Sequence, residues 1–171
     1  GIISMRFVGE PFIFSFTEVA EGPSLIGPNA AVSANNRVYF MDAGGFYAYS
    51  GSAEKIQCTV LDYVLSDLNQ DQLFKVFAAV NNVANEIMWF YPSGTNTEID
   101  KYVLYNYLEN VWSIGTTDDG FVRTAWDQAS ILEYPIAASK NDSTNLNYVY
   151  NHEKGHGNDG SNFTAYIESS D

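Results

Sequence analysis

Apolar and polar positions alternate with a period of two over much of this chain, the pattern of half-buried β-strands. Two strings nearly recur: Asn36-Arg37-Val38-Tyr39-Phe40-Met41 and Asn85-Glu86-Ile87-Met88-Trp89-Phe90-Tyr91. Each has an Asn turn opening a run of aromatic and β-branched residues. A turn and a second aromatic strand follow, Gly45-Phe46-Tyr47-Ala48-Tyr49-Ser50-Gly51 in one case and Lys101-Tyr102-Val103-Leu104-Tyr105-Asn106-Tyr107 in the other. A weaker echo stands at Asn147-Tyr148-Val149-Tyr150. The spacing, roughly 50–60 residues, is at or somewhat above that of propeller blades, so repeated sheet units are expected.

The same pattern places the other elements. Ile2 to Phe16 reads as strand broken at Gly9-Glu10-Pro11, with Pro11 at a strand start or edge. Glu18 to Pro28 reads as loop. Ala30 to Ala34 is a short strand, and Asn35-Asn36 predicts a tight hairpin turn. Arg37 to Asp42 and Phe46 to Ser50 flank the turn Ala43-Gly44-Gly45. One helix interrupts the strands. Val60, Leu61, Val64, Leu65 and Leu68 form a single apolar stripe, and Asn69 with Gln72 starts a second short turn in the manner of a capping box. This helix is expected on the outside of a sheet or against a neighbouring subunit. Strands are then predicted at Phe74 to Val80, Glu86 to Tyr91, Tyr102 to Tyr107 and Val111 to Ile114, with loops at Ser93 to Asp100 and Gly115 to Gly120. Further strand candidates are Phe121 to Trp126, Ile131 to Ala138, Leu146 to Tyr150 and Phe163 to Ile167. The links are too short for parallel crossovers, so antiparallel meanders are expected throughout.

Composition narrows the class. Hydrophobic residues make up 46% and charged residues 17%, which excludes a disordered chain. The 12 Tyr and 11 Phe favour pleated sheet. At 171 residues there is room for about three to four units of ~40–50 residues. A net charge of -13 repels phosphate and anionic membrane surfaces, so sequence-general nucleic-acid binding is excluded. No run approaches the ~20 apolar residues of a membrane span, and no signal peptide is visible. The chain opens on Gly1, already in strand pattern, and stops just after another strand pattern. A segment of a longer polypeptide is therefore expected.

Candidate chemistry is sparse. Cys58 is the single cysteine, in the apolar run Ile56-Gln57-Cys58-Thr59-Val60, and reads as a small buried hydrophobe rather than a thiolate. His152-Glu153-Lys154-Gly155-His156 matches H-E-x-x-H. That spacing holds zinc only on a helix, and the Gly and Asn residues around it oppose one, so a solvated loop is expected. Asn158-Asp159-Gly160-Ser161-Asn162 and Thr117-Asp118-Asp119-Gly120 resemble fragments of calcium loops but lack the closing carboxylate, so turn chemistry explains them. Asp42, Glu86, Asp100 and Asp127 are candidates for a glycosidase carboxylate pair, which only their separation could establish. Trp89-Phe90-Tyr91 and Tyr105 with Trp112 could form a sugar platform, although strand spacing favours sheet core. No catalytic, metal-binding or cofactor-binding residues are assigned, and no cofactor is expected.

Several strings carry a likeness to a known group: Phe12-Ile13-Phe14-Ser15-Phe16, Leu25-Ile26-Gly27-Pro28-Asn29-Ala30, Gly45 to Gly51, Asn85 to Pro92 and Arg123-Thr124-Ala125-Trp126. With Tyr102 to Tyr107 and Tyr134-Pro135-Ile136-Ala137-Ala138, the chain from about Met5 to Asp171 resembles tailed-bacteriophage structural proteins. Among these it is similar to the tail hub or nozzle proteins of short-tailed phages, which carry β-propeller domains. The resemblance implies a mainly β fold of about three propeller-like blades in an incomplete ring, with a short helical insertion between the first two. Approximate units are 1–58, 59–77 for the insertion, 78–120 and 121–171, all within one segment of a larger domain. It implies a structural, non-catalytic role in a virion tail, lining part of the DNA-ejection channel. Implied partners are further copies in a ring, adjoining tail or adaptor proteins, and DNA passing without specific binding, with no membrane insertion. An acidic channel wall would keep DNA from sticking. The helix between the first two units is expected to meet a neighbour. A glycan- or receptor-binding propeller module is the alternative, and a polysaccharide hydrolase a further one.

Overall fold

Short turns and strand-forming runs make the chain pair locally, each strand with the next. The structure, a computed structural model, describes residues 1–117, 122–129, 131–141, 146–155, 157–158 and 161–162. It is mainly β, and every strand pairing is antiparallel. A ribbon of β1 (Ile2–Phe7) and β2 (Phe14–Ala20) comes first. Sheet 1 follows as a four-stranded meander of β3 (Ala31–Ala34), β4 (Arg37–Asp42), β5 (Gly45–Tyr49) and β6 (Ala53–Ile56). Helix α1 (Leu61–Asp67) and a 3-10 helix (Gln70–Lys75) lead to sheet 2. This is a second four-stranded meander, of β7 (Phe77–Asn81), β8 (Glu86–Tyr91), β9 (Lys101–Asn106) and β10 (Val111–Thr116). Sheet 3 has β11 (Val122–Asp127), β12 (Ile136–Asn141) and β13 (Leu146–Asn151), and a two-residue pair, β14 (Gly157–Asn158) and β15 (Ser161–Asn162), follows.

The sheets stack in chain order because β8 is apolar on both sides. Ile87, Trp89 and Tyr91 face sheet 1, in a core with Tyr39, Met41 and Phe46. Met88 and Phe90 face the other way, in a second core with Val122 and Trp126. Phe46 lies 4.8 Å from Trp89 and 4.7 Å from Trp112, ring centre to ring centre. Both indoles also find acceptors across the seam: Trp89 Nε1 donates to the Ala30 carbonyl (3.2 Å) and Trp112 Nε1 to that of Gln57 (2.9 Å). The first strands lie side by side, with Asn29, just ahead of β3, bridging in parallel to Phe77 of β7, and β7 in turn packing beside β11.

The Asn strings have a shared conformational cause. Asn36 and Asn85 adopt φ of 59° and 60°, directly before β4 and β8, the second strands of their sheets. The left-handed region suits Asn, whose short side chain bonds locally. Asn35 shares it at φ 46°, making the two-residue turn that sequence predicts. The weaker echo is not equivalent: Asn147 lies inside β13, a third strand.

Several boundaries differ from expectation. Pro11 sits in the turn between β1 and β2, three residues before β2 starts, and β2 runs through Glu18 to Ala20 in what reads as loop. Gly115 and Thr116 belong to β10, because Gly115 leaves room for the Tyr102 ring across the pair. Residues 131–135 are not strand, and β12 begins only at Ile136, after Pro135. Phe74 is helical rather than strand. The strand β6 has no counterpart in the pattern reading. Helix α1 buries Val64 fully, and Leu68 at its end nearly so, against the core of sheets 1 and 2, and leaves Asp62, Tyr63 and Ser66 exposed. Phe163 to Ile167 lies outside the described residues.

Candidate functional site

Sheet 2 and sheet 3 do not close completely. Where sheet 1 fills its seam with Tyr39, Tyr105 and Tyr107, the corresponding end of the next seam leaves a cavity of about 300 Å³. Its walls are Glu86, Met88 and Phe90 of β8, Tyr102 and Leu104 of β9, Thr116 and Thr117, Arg123 and Trp126 of β11, and His152 and Glu153 after β13. Strand alternation explains the β8 and β9 contributions, because Glu86, Met88 and Phe90 share one face.

The polar groups are tied to one another. Arg123 is buried, its Nε donating to His152 Nε2 at 2.8 Å and its guanidinium standing 4.9 Å from the Tyr150 ring centre. His152 lies 4.4 Å from the Trp126 ring, and its backbone N–H donates to the Pro135 carbonyl. Glu153 accepts from Asn81 Nδ2 at 2.7 Å, and Asn81 is fully buried. Gln128 Oε1 accepts from the Asn82 backbone at 2.7 Å, a second clasp between the β7–β8 turn and sheet 3. Burial pushes the Glu86 carboxyl up from its ordinary value, and the Glu153 charge adds to this. Burial likewise raises the Tyr102 phenol, helped by both carboxylates. Trp126 Nε1 is buried without an acceptor among the described residues.

This seam brings Glu86, His152 and Glu153 together and leaves the other candidates elsewhere. Asp42 accepts from the Ser24 and Gly44 backbone N–H groups and from the Ser24 hydroxyl, which makes it a turn brace. Asp100 accepts from Ser93 N, Ser93 Oγ and Asn96 Nδ2, bracing the 93–100 loop. Asp127 ends β11, exposed. The H-E-x-x-H run is not helical over its described part, since Glu153 has φ 59° and Gly155 φ 81°, and His156 lies outside the described residues. No group of three metal-ligating side chains occurs among the described residues. Of the calcium-like runs, residues 118–120, 159 and 160 lie outside the described residues, while Asn158 and Ser161 face each other across the β14–β15 pair.

The aromatic platform is interior. Trp89 and Tyr91 are fully buried, Phe90 nearly so, and Tyr105 stacks on Trp112 at 4.5 Å within the same core. Cys58 is half-buried against that core, and burial raises its thiol. Sequence reasoning missed Arg123, Trp126, Asn81 and Gln128 as partners in one seam. The packing of sheet 3 on sheet 2, absent from any local pattern, unites them. No protein-family model matches the chain, and no curated protein matches it.

Proposed function

We propose that the chain is a propeller-type segment of a structural protein in a bacteriophage tail, a nozzle or hub that forms part of the DNA-ejection channel and performs no catalysis. The observation that carries this reading is the stacking of three antiparallel meanders in chain order with their first strands side by side. Radially repeated sheets of this kind leave only short edges and suit a rigid scaffold. The ring's other partners are further copies and the adjoining tail proteins. The net charge of -13 lets DNA slide past an acidic wall without adhering. The first strands carry a single acidic residue, Asp127, among the described residues, together with Arg123, so most of the negative charge lies on other parts of the chain. Immunogold labelling of purified virions with an antibody raised against this chain tests the reading. Label on the tail in a symmetric ring is expected, and unlabelled tails would overturn it.

One observation favours a second reading, a glycan-binding module. The cavity beside Glu86 and Glu153 pairs hydrogen-bond acceptors with the aromatic walls of Phe90, Tyr102 and Trp126. A glycan array probed with the chain and with Glu86→Gln separates the readings: binding lost in the variant supports the module, and no binding by either removes it.

A further inference from the structure

We propose that the cavity between sheets 2 and 3 receives an amino sugar, its ammonium group held between Glu86 and Glu153 and its ring laid on the aromatic walls. This rests on the glycan-binding reading above for the site and goes on to name the class of sugar, without using the virion setting.

The charge of the cavity asks for a cation. Glu86 is half-buried in the wall, and no hydrogen bond or ion pair reaches its carboxylate among the described residues. The charge that acts on it is that of Glu153, which is also negative. Glu153 accepts one hydrogen bond, from the neutral Asn81 amide at 2.7 Å, and pairs with no cation among the described residues. Two carboxylates in one cavity repel, and a carboxylate drawn out of water without a donor is costly. An ammonium, with a positive charge and several N–H donors, relieves both. The cation already in the walls is engaged. Arg123 is 7% exposed, its Nε donates to His152 Nε2, and its guanidinium lies over the Tyr150 ring, which is not a wall of the cavity. Arginine only donates, so His152 Nε2 is an accepting, unprotonated nitrogen and the imidazole is neutral. The described walls therefore carry two carboxylates against one guanidinium.

The rest of the wall selects the body that carries the ammonium. Tyr102 and Trp126 flank Phe90, with ring centres 5.5 and 5.9 Å from its own, so three rings line one part of the cavity. Such rings attract a cation and offer an apolar surface to the C–H face of a sugar. Trp126 Nε1 is buried without an acceptor among the described residues. A buried donor left unmade costs free energy, and a sugar hydroxyl oxygen is the acceptor it lacks. A plain alkylamine brings the charge but neither that acceptor nor that face. At about 300 Å³ the cavity is at the small end of ligand pockets, the scale of a short saccharide. The net charge of -13 works in the same direction, drawing cations and repelling acidic sugars.

Calorimetric titration of the chain near neutral pH with glucosamine, N-acetylglucosamine and propylamine tests this. N-acetylglucosamine keeps the ring and loses the charge, and propylamine keeps the charge and loses the ring. Glucosamine is expected to bind about tenfold more tightly than either, the loss of one charge-assisted contact. Glu86→Gln should weaken glucosamine about tenfold and leave N-acetylglucosamine unchanged. Glu153→Gln, which keeps an acceptor for Asn81, should do the same and serves if circular dichroism shows Glu86→Gln unfolded. Equal binding of the two sugars, or glucosamine binding that both variants leave intact, overturns the ammonium and leaves the glycan-binding reading standing. Propylamine binding as tightly as glucosamine overturns the sugar. No binding by either sugar overturns the proposal, and silence across the glycan array as well removes the glycan-binding reading with it.

Discussion

Glu86 and Asn85 are neighbours whose conformations answer to different forces, one electrostatic and one steric. The Glu86 carboxyl is raised by burial and by Glu153, so the folded state holds its proton to higher pH than the unfolded chain does. Between the two values the native state binds more protons, and stability falls as pH rises through that window. Glu86→Gln removes the group, so its melting temperature should exceed wild type at pH 7 and match it near the ordinary carboxylate range, as thermal melts at the two pH values would reveal. An equal difference at both would mean that the carboxyl titrates normally. Asn85 is held at φ 60°, where a β-branched residue pays about 1–2 kcal/mol. Both Asn85→Val and Asn85→Gly lose the bond that Asn85 Oδ1 accepts from the Tyr107 hydroxyl (3.1 Å), about 1 kcal/mol, so by urea titration the valine variant should be the less stable of the two by about the strain alone. This turn was legible because Asn before a strand run marks a left-handed turn residue. The raised Glu86 was not, because its main cause is burial in the folded seam and its second the charge of Glu153, 67 positions along the chain.

At the scale of elements, helix α1 is fastened by a small polar cluster as well as by its apolar stripe. Lys101 of β9 donates to both Asp67 carboxylate oxygens (3.1 and 2.9 Å) and to the Tyr63 hydroxyl (3.0 Å), while Tyr91 donates to Asp67 Oδ2 (3.2 Å). The bond to Asp67 is the main reason that Lys101 is held above its ordinary value. Burial comes first for Tyr91, with the Asp67 charge second, and it too is raised. The pair is about a fifth exposed, so solvent screens it, and Asp67→Ala should cost about 1 kcal/mol. Urea unfolding with an unchanged slope would show that the loss is local to the helix seat. The stripe at Val60, Leu61, Val64, Leu65 and Leu68 made this helix readable. Its position was not, since a stripe names the buried face and says nothing about which surface buries it. Strand β6 escaped for the converse reason: Ala53, Glu54 and Lys55 carry no strand pattern, and pairing with β5 alone extends them. The cleft was legible only in part, because Glu86 and the His152–Glu153 run are visible as types whereas Arg123 and Trp126 acquire meaning through the stacking of sheets.

At the scale of the molecule, the question is whether three stacked sheets melt together or apart. Each seam has its own apolar cluster, Phe46 with Trp89 and Trp112 in one and Phe90 with Trp126 in the other. Were the clusters independent, loosening one seam would release one sheet and leave the rest folded. They are joined through β8, whose Ile87, Trp89 and Tyr91 serve the first while Met88 and Phe90 serve the second, all of them buried. A strand cannot lose one face without disturbing the backbone that carries the other, because each residue's ladder bonds anchor both neighbours. Polar clasps reinforce the link, since Asn81 and Asn82 tie the β7–β8 turn to Glu153 and Gln128. Phe46→Ala and Phe90→Ala should therefore each cost about 3–5 kcal/mol, the usual loss for a buried phenylalanine. Both should still melt in one transition, with calorimetric and van't Hoff enthalpies in agreement. Two resolved transitions in Phe90→Ala, with sheets 1 and 2 surviving the loss of sheet 3, would show instead that the molecule is a chain of separable sheets, each stabilised only by its immediate neighbour.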